Sequence, residues 1–261
     1  MRRWRLNSGY SSGTDQSRTK AGTIPMFKHY IERNLGFFDN DLGIIKTNLL
    51  LRLDAGNPAS YPGTGTVWTD LSGNGNTGTL TNGPTYNSQK GGYISFDGVD
   101  DQIVLPSITP TSAVTFQAWI YMEKWPTYGS GIFNNWGAGG NAYSIFRNTG
   151  SSILVYFNGG LSFTFNVGIY LEKWIMITVT HDGSSIYGYI NNYLHTIGTP
   201  RSLISTSTNT TIGGNSIGMS PYPFFGNISQ ALIYNKALSL AEVVQNYNAN
   251  KDRYGLPATG Y

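Results

Sequence analysis

From Asn48 onward the chain is cut into short apolar runs by residues that accept a left-handed backbone, and this punctuation limits the fold more than any other feature. "SSILVYF" (151–157) ends at Asn158-Gly159, "KWIMITVTH" (173–181) at Asp182-Gly183 and "SIYGYI" (185–190) at Asn191-Asn192. Such pairs close two-residue hairpins, because both central positions of the favoured turn need positive φ. "LSFTFNV" then reads as the partner of 151–157, and Tyr193 to Ile197 as the third strand of a meander. "VTFQAWIYM" (114–122) reads as a long strand. Ile175, Ile177 and Val179 share one face, as do Ile186 and Ile190, which sets those faces toward a core. One sheet cannot bury so many apolar faces. The expectation is all-β: two packed antiparallel sheets of about six or seven strands each.

One helix is signalled near the end. Ser239-Leu240-Ala241-Glu242 is a capping box, with Leu238 and Val243 placed as a hydrophobic staple. Leu240, Val243, Val244 and Tyr247 form the expected apolar stripe of a helix over about 240–249. Residues 251–261 read as a tail.

The first 47 residues lack this strand pattern. Residues 1–22 carry Arg2, Arg3, Arg5, Arg18 and Lys20 against Asp15, a net of +4; residues 23–47 balance, and 48–261 hold nine basic and ten acidic side chains. The overall +3 therefore belongs to the leading segment. "MFKHYIERNLG" predicts a short helix over 26–35 with Gly36 as its stop. Arg2, Arg3, Trp4 and Arg5, with the apolar Phe27, Tyr30, Phe37 and Phe38, are the residues of an arm that grips another surface. The domain reading is an arm over 1–47, a β body over 48–250 and a tail over 251–261. The start, "MRRWRLNSGYSSG", has no apolar stretch of the secretory type, and no run of 18 apolar residues predicts a membrane span.

Three stretches together resemble the laminin-G-like, or concanavalin A-like, jelly roll. "GGYISFDGVDDQIVLP" is similar to the family's early strand pair, "EKWIMITVTHDGSSIYGYINNYL" to its central strands, and "FFGNISQALIYNKALSLAEVVQNYN" to its last strand and closing helix. The resemblance spans roughly 49–250. The opening "LLLRLDAGNPASYPGTGTVWTDLSGNGNTGTL" looks most like versions from virion structural proteins of tailed phages. Fold alone does not give function.

Enzyme chemistry is not expected. Glycosidases on this sandwich use paired carboxylates, within the family in a Glu-x-Asp-x-x-Glu pattern. The four glutamates here, Glu32, Glu123, Glu172 and Glu242, have no acidic neighbour two to five positions away. "GYSSG" (9–13) lacks the strand that a nucleophile elbow needs. Cysteine is absent, which removes thiolate catalysis, disulfides and Cys-based zinc sites. His29, His181 and His195 have no metal-ligand spacing.

Two kinds of binding site are readable. Asp97, Asp100 and Asp101 fall within five positions. The resemblance implies a calcium ion near this strand pair, with Asp54 and Asp70 as weaker candidates, whereas Asp97-Gly98 is equally an ordinary turn pair. Against calcium, relatives often have Ile-Asp-Glu where this chain has Ile228-Ser229-Gln230. Beyond this structural calcium no cofactor is required. For sugars, Trp125, Tyr128 and Trp136 lie in a Gly-rich stretch with Asn134, Asn135 and Asn141. Rings stack on pyranose faces and amides meet hydroxyls. Tyr61, Trp68 and Tyr222 lie in other loops, and the rings can equally fasten loops or face subunits.

The expected role is a non-enzymatic virion structural protein, displayed on the virion surface as a capsid decoration. Residues 1–47 would hold it to other virion proteins of the capsid shell or tail, and it would assemble as a homo-oligomer. A protein partner is expected for the arm rather than nucleic acid, and no membrane. The alternative is a lectin-like module or tail adhesin for cell-surface glycans.

Overall fold

The computed structural model describes residues 43–124, 130–137, 140–147, 150–203, 208–214 and 223–258, with only the backbone described at 136, 137, 140, 141 and 147. By chain contacts the protein divides into a unit over Met1–Phe38 and a unit over Asp39–Tyr261. The expected helix at 26–35 and the arm residues Arg2, Arg3, Trp4, Arg5, Phe27, Tyr30, Phe37 and Phe38 lie outside the described residues.

Among the described residues, sixteen strands and one α-helix form the body. The strands are β1 (Leu49–Asp54), β2 (Val67–Trp68), β3 (Gly78–Thr81), β4 (Thr85–Asn87), β5 (Tyr93–Asp97), β6 (Gln102–Leu105), β7 (Val114–Met122), β8 (Ser130–Gly137), β9 (Gly140–Arg147), β10 (Ser152–Phe157), β11 (Gly160–Asn166), β12 (Trp174–His181), β13 (Ile186–Ile190), β14 (Tyr193–Gly198), β15 (Thr210–Ile212) and β16 (Phe225–Tyr234). The helix, α1, is Leu240–Asn250. Two eight-stranded sheets result. Sheet A runs β14-β13-β12-β7-β16-β5-β4, with β1 also paired to β16; sheet B runs β11-β10-β9-β8-β15-β6-β3-β2.

The alternation within the runs sets the core. Val114, Phe116, Ala118 and Ile120 of β7 and Ile175, Ile177 and Val179 of β12 join Ile103, Phe133, Ile145 and Val155 of sheet B in one buried cluster. Asn158-Gly159 and Asn191-Asn192 each join paired strand ends as two-residue turns, with Asn158 at φ 47°, Gly159 at 70° and Asn191 at 58°, whereas Asp182-Gly183 opens a four-residue turn, since His181 pairs with Ile186. Three of the strands, β2, β4 and β15, have only two or three residues each. Runs this short carry no periodicity to detect.

The outer face of sheet A is covered by α1. Ser239 and Glu242 form the capping box. The buried face of the helix is not the expected stripe: Val243 and Tyr247 are buried, but with Asn246 and Asn250, while Leu240 is half exposed. The cause is polar groups on the sheet beneath. Asn246 donates to Gln117 Oε1 and the Tyr234 hydroxyl, both at 2.9 Å, and accepts from Ile45 N–H at 2.9 Å. Gln230 Nε2 donates to Asn250 Oδ1 at 2.8 Å and Asp54 Oδ2 at 2.6 Å. Trp119 and Trp174 lie in this second cluster rather than between the sheets.

Both expected domain boundaries shift. Ile44 is buried in the helix-side cluster, so residues 43–47 belong to the body. The expected tail begins as a 3-10 helix, Lys251–Tyr254, whose Arg253 and Tyr254 are buried, followed by buried Leu256. Arg253 Nη1 meets Asp54 Oδ1 at 2.9 Å, and Nη2 reaches the carbonyls of Gly91 and Gly92 and the Ser229 hydroxyl. These segments are held by buried polar partners that leave no hydrophobic period in the sequence.

Candidate functional site

The turn between β5 and β6 carries the acidic cluster at one rim of the sandwich. Gly98 has φ 75°, and a Cβ there would come within 2.8 Å of Phe225 Cβ, so glycine is required on both counts. Asp97 Oδ1 accepts the Val99 N–H at 2.8 Å, and Asp97 N–H donates to Asp101 Oδ2 at 2.9 Å. Asn82 Nδ2 donates to the Asp100 carbonyl at 2.9 Å and ties the preceding loop to the turn. The turn reading of the aspartates is therefore correct as far as it goes.

It leaves one atom unexplained. Asp101 is 3% exposed, and its Oδ1 is buried with no hydrogen-bond partner. Such an orphan is costly. It faces Gly83, where a Cβ would stand 3.7 Å away. One carboxylate oxygen from each of Asp97, Asp100 and Asp101 lies within 4.8 Å of the others. Burial, followed by the nearby charges of Asp97 and Asp100, holds the Asp101 carboxyl above its usual range despite the bond from the Asp97 backbone. A divalent cation among these oxygens would offset two of the three charges and, if held through Asp101 Oδ1, give that atom its missing partner. Calcium takes six to eight oxygens at 2.3–2.6 Å, so ligands across the ion stand up to about 5.2 Å apart, and the three oxygens here fall within that span. The donor set fits.

The weaker calcium candidates are corrected. Asp54 is fully buried in its pair with Arg253. Asp70 organises its own loop, accepting the N–H groups of Arg52, Ser72 and Asn76. Ile228-Ser229-Gln230 does not bear on the rim, because Gln230 faces Asp54 beneath α1.

Of the expected sugar site, only Asn134 and Asn135 have described side chains. Asn134 and Asn135 lie in β8, a strand and not a loop, and are buried. Asn134 Nδ2 donates to Gly214 O at 2.6 Å, and the Ser144 hydroxyl donates to its Oδ1. Asn135 Nδ2 donates to Thr208 O at 2.8 Å. Neither amide is offered to a ligand. Trp125 and Tyr128 lie outside the described residues, as do the side chains of Trp136 and Asn141, and Tyr222. Tyr61 and Trp68 are core residues, not surface rings. Beside the acidic turn, Phe225 pairs with Asp97 in register, and Lys124 Nζ stands 5.1 Å from the Phe225 ring centroid. Val99 at the tip is 65% exposed. These rim neighbours carried no motif.

Two stacked antiparallel sheets with a helix packed on one outer face define a jelly-roll sandwich. The profile described as the concanavalin A-like lectin/glucanases superfamily (Laminin_G_3) matches residues 96–244, and the chain belongs to this family. Among solved structures, the botulinum neurotoxin type G receptor binding domain is similar at 17% identity, over 77% of this chain and 51% of that one, with a TM-score of 0.60. The receptor binding domain of the botulinum neurotoxin C/D mosaic serotype is similar at 16% identity, over 78% of this chain and 52% of that one, with a TM-score of 0.62. Trypanosoma rangeli sialidase in complex with sialic acid is similar at 14% identity, over 89% of this chain and 40% of that one, with a TM-score of 0.63. The chain thus spans about half of the neurotoxin domains and two-fifths of the sialidase. These likenesses are of fold. No curated protein matches the chain. Among the described residues no helix is long and apolar enough to cross a membrane.

Proposed function

We propose that the chain is a non-catalytic module that binds carbohydrate or a glycosylated receptor, with a calcium-assembled site at the β5–β6 rim. The observation that carries this reading is the buried, unpartnered Asp101 Oδ1 grouped with the carboxylates of Asp97 and Asp100. The lectin-type family supports it, as do similar folds in receptor-binding domains and in a sialidase complex. Asp97, Asp100 and Asp101 would hold the ion. Bound there, it would supply open coordination positions for vicinal hydroxyls, since three carboxylates leave part of a six- to eight-oxygen shell unfilled. The chain's own residues fix the turn, through the Asp97–Val99 and Asp97–Asp101 bonds.

Calcium at about a hundred times its Kd is expected to raise Tm by roughly 5–10 °C over the EDTA-treated protein. Asp101→Asn should abolish that rise while folding normally without the ion. Equal melting curves in calcium and in EDTA would discard the ion. Without cation, the raised Asp101 value makes its contribution to stability greatest below the ordinary carboxylate range. That contribution is lost as pH rises through the raised value, and calcium should oppose the loss.

A second reading adds the setting: a displayed virion component, self-associated and mounted by its leading segment. It is favoured by the concentration of basic charge in residues 1–22 ahead of a nearly neutral body. Deleting residues 1–38 is expected to leave the melting of the body unchanged and to abolish incorporation into virus particles. Normal incorporation of the shortened chain would remove the mounting role.

A further inference from the structure

His181 is a buried titratable group that the rim site does not use. It ends β12, is fully buried, and pairs in register with Val114 of β7 and Ile186 of β13. Phe157 of β10 meets the imidazole edge-on, with ring centroids 5.0 Å apart. Val114, Ile186 and Phe157 all belong to the core between the sheets. Both ring nitrogens are engaged. Nδ1 accepts the Gly183 N–H at 2.8 Å, and Nε2 stands 2.6 Å from the Arg201 carbonyl oxygen. A backbone N–H donates only to an unprotonated ring nitrogen, and a carbonyl only accepts. The two bonds together define one state, the neutral imidazole with its proton on Nε2. The Arg201 N–H also approaches Nε2, at 3.4 Å. A nitrogen that carries the proton cannot accept that N–H, and the shorter contact decides.

The Arg201 carbonyl belongs to the segment 199–203, which leaves β14 in sheet A on the way to β15 in sheet B. Thr199 N–H donates to Ser162 O at 3.0 Å, and Arg201 Nε donates to Leu161 O at 3.1 Å. The guanidinium lies against Gly160, where a Cβ would come within 2.3 Å of it. Leu203 packs on the core between the sheets. The segment therefore ties together β14 and β11, the edge strands of the two sheets, along one side of the sandwich. His181 fastens that tie to β12.

We propose that His181 is an acid-sensitive latch: neutral, it fastens the 199–203 segment, and protonated, it leaves its site and lets the segment open. A second proton would sit on Nδ1, facing the Gly183 N–H, and would place a charge where the side chain has no solvent. Val114, Ile186 and Phe157 offer no counter-charge. Among the described residues, the charged groups beside the ring are Asp182 and Arg201. The Arg201 guanidinium is directed to Leu161 O on sheet B. Asp182 is exposed, and its carboxylate accepts the Ser184 and Ser185 N–H groups, which with the adjacent imidazole hold it below the usual carboxylate range. It stays ionised in mild acid and favours an imidazolium that turns outward. The sign follows from the bonds. The latch is complete while the imidazole is neutral and is lost as falling pH protonates it.

The test is amide hydrogen exchange and imidazole nitrogen NMR of the full chain at about pH 7.5 and about pH 5. At the higher pH the His181 signals should show the proton on Nε2. In acid, the protection of the Gly183 and Thr199 amides, corrected for intrinsic exchange, should fall by about ten-fold or more, while the amides of β7 and β16 keep theirs. His181→Gln retains a donor for the Arg201 carbonyl and cannot titrate, so its Thr199 protection should not change with pH. His195→Gln, at an exposed position of β14, should behave as the unsubstituted protein. Should His181→Gln fold poorly, the unsubstituted chain and His195→Gln still decide. Thr199 protection that is the same at both pH values overturns the latch. Loss at Gly183 alone also overturns it, because the turn then yields while the segment holds. An acid loss that persists in His181→Gln, or that His195→Gln removes, assigns the effect to another group and overturns it, as does a proton found on Nδ1 at the higher pH. The rim cannot imitate the result, since the contribution of Asp101 is lost as pH rises.

Discussion

Replacing Arg253 by alanine is expected to lower the unfolding free energy by about 3–5 kcal/mol, measured by urea denaturation. The guanidinium is almost wholly buried and joins three parts of the chain: Asp54 at the end of β1, the Gly91 and Gly92 carbonyls before β5, and Ser229 in β16. Asp54 keeps the Gly56 N–H and the Gln230 amide after the substitution, but it loses its 2.9 Å guanidinium partner and is left with Arg52 Nη2 at 4.0 Å. Arg253→Lys should restore little, because one ammonium cannot span the fork that reaches carboxylate, carbonyls and hydroxyl together. Asp54→Asn combined with Arg253→Met should cost clearly less than the sum of the single changes, as coupled partners do. Additive losses would show that the pair contributes no interaction of its own.

Trp119→Ala should cost about 3–5 kcal/mol by the same measurement. The indole is 1% exposed on the helix side of β7, stacked on Tyr254 with centroids 4.3 Å apart and near Tyr247 at 5.6 Å. Its removal leaves a void where α1, the 3-10 turn and sheet A meet. A matched loss of near-ultraviolet aromatic signal would place the damage there. An unchanged denaturation midpoint would mean that the helix is held by its polar contacts alone.

The sequence carried the fold wherever burial is one-sided or the turn chemistry is strict. β10 to β14 follow from alternation and from Asn158-Gly159, Gly183 and Asn191, since each turn position demands what few residues supply. The capping box is legible because its two bonds need only four residues. What stayed hidden was polar burial. "GIFNNWG" reads as loop by propensity, yet forms β8, because Asn134 and Asn135 find partners on Gly214, Ser144 and Thr208 that are distant in sequence. Asn246, Asn250 and Arg253 are buried for the same reason, and no hydrophobic period announces a side chain buried by hydrogen bonds. At the rim, the aspartates were visible as a cluster. Only the coordinates separate Asp97, whose Oδ1 caps its own turn, from Asp101, whose Oδ1 caps nothing.

β16 has a consequence for how the chain is made. Along one flank it pairs with β7, and along the other with β5 and then β1, so that Leu51 sits opposite Ile233. β1 has no neighbour in sheet A, and β5 has only the three-residue β4, until β16 has been translated, long after both have left the ribosome. Contacts this remote in sequence slow folding. The apolar face of β1 therefore stays without its strand partner until the last strand of the sheet arrives.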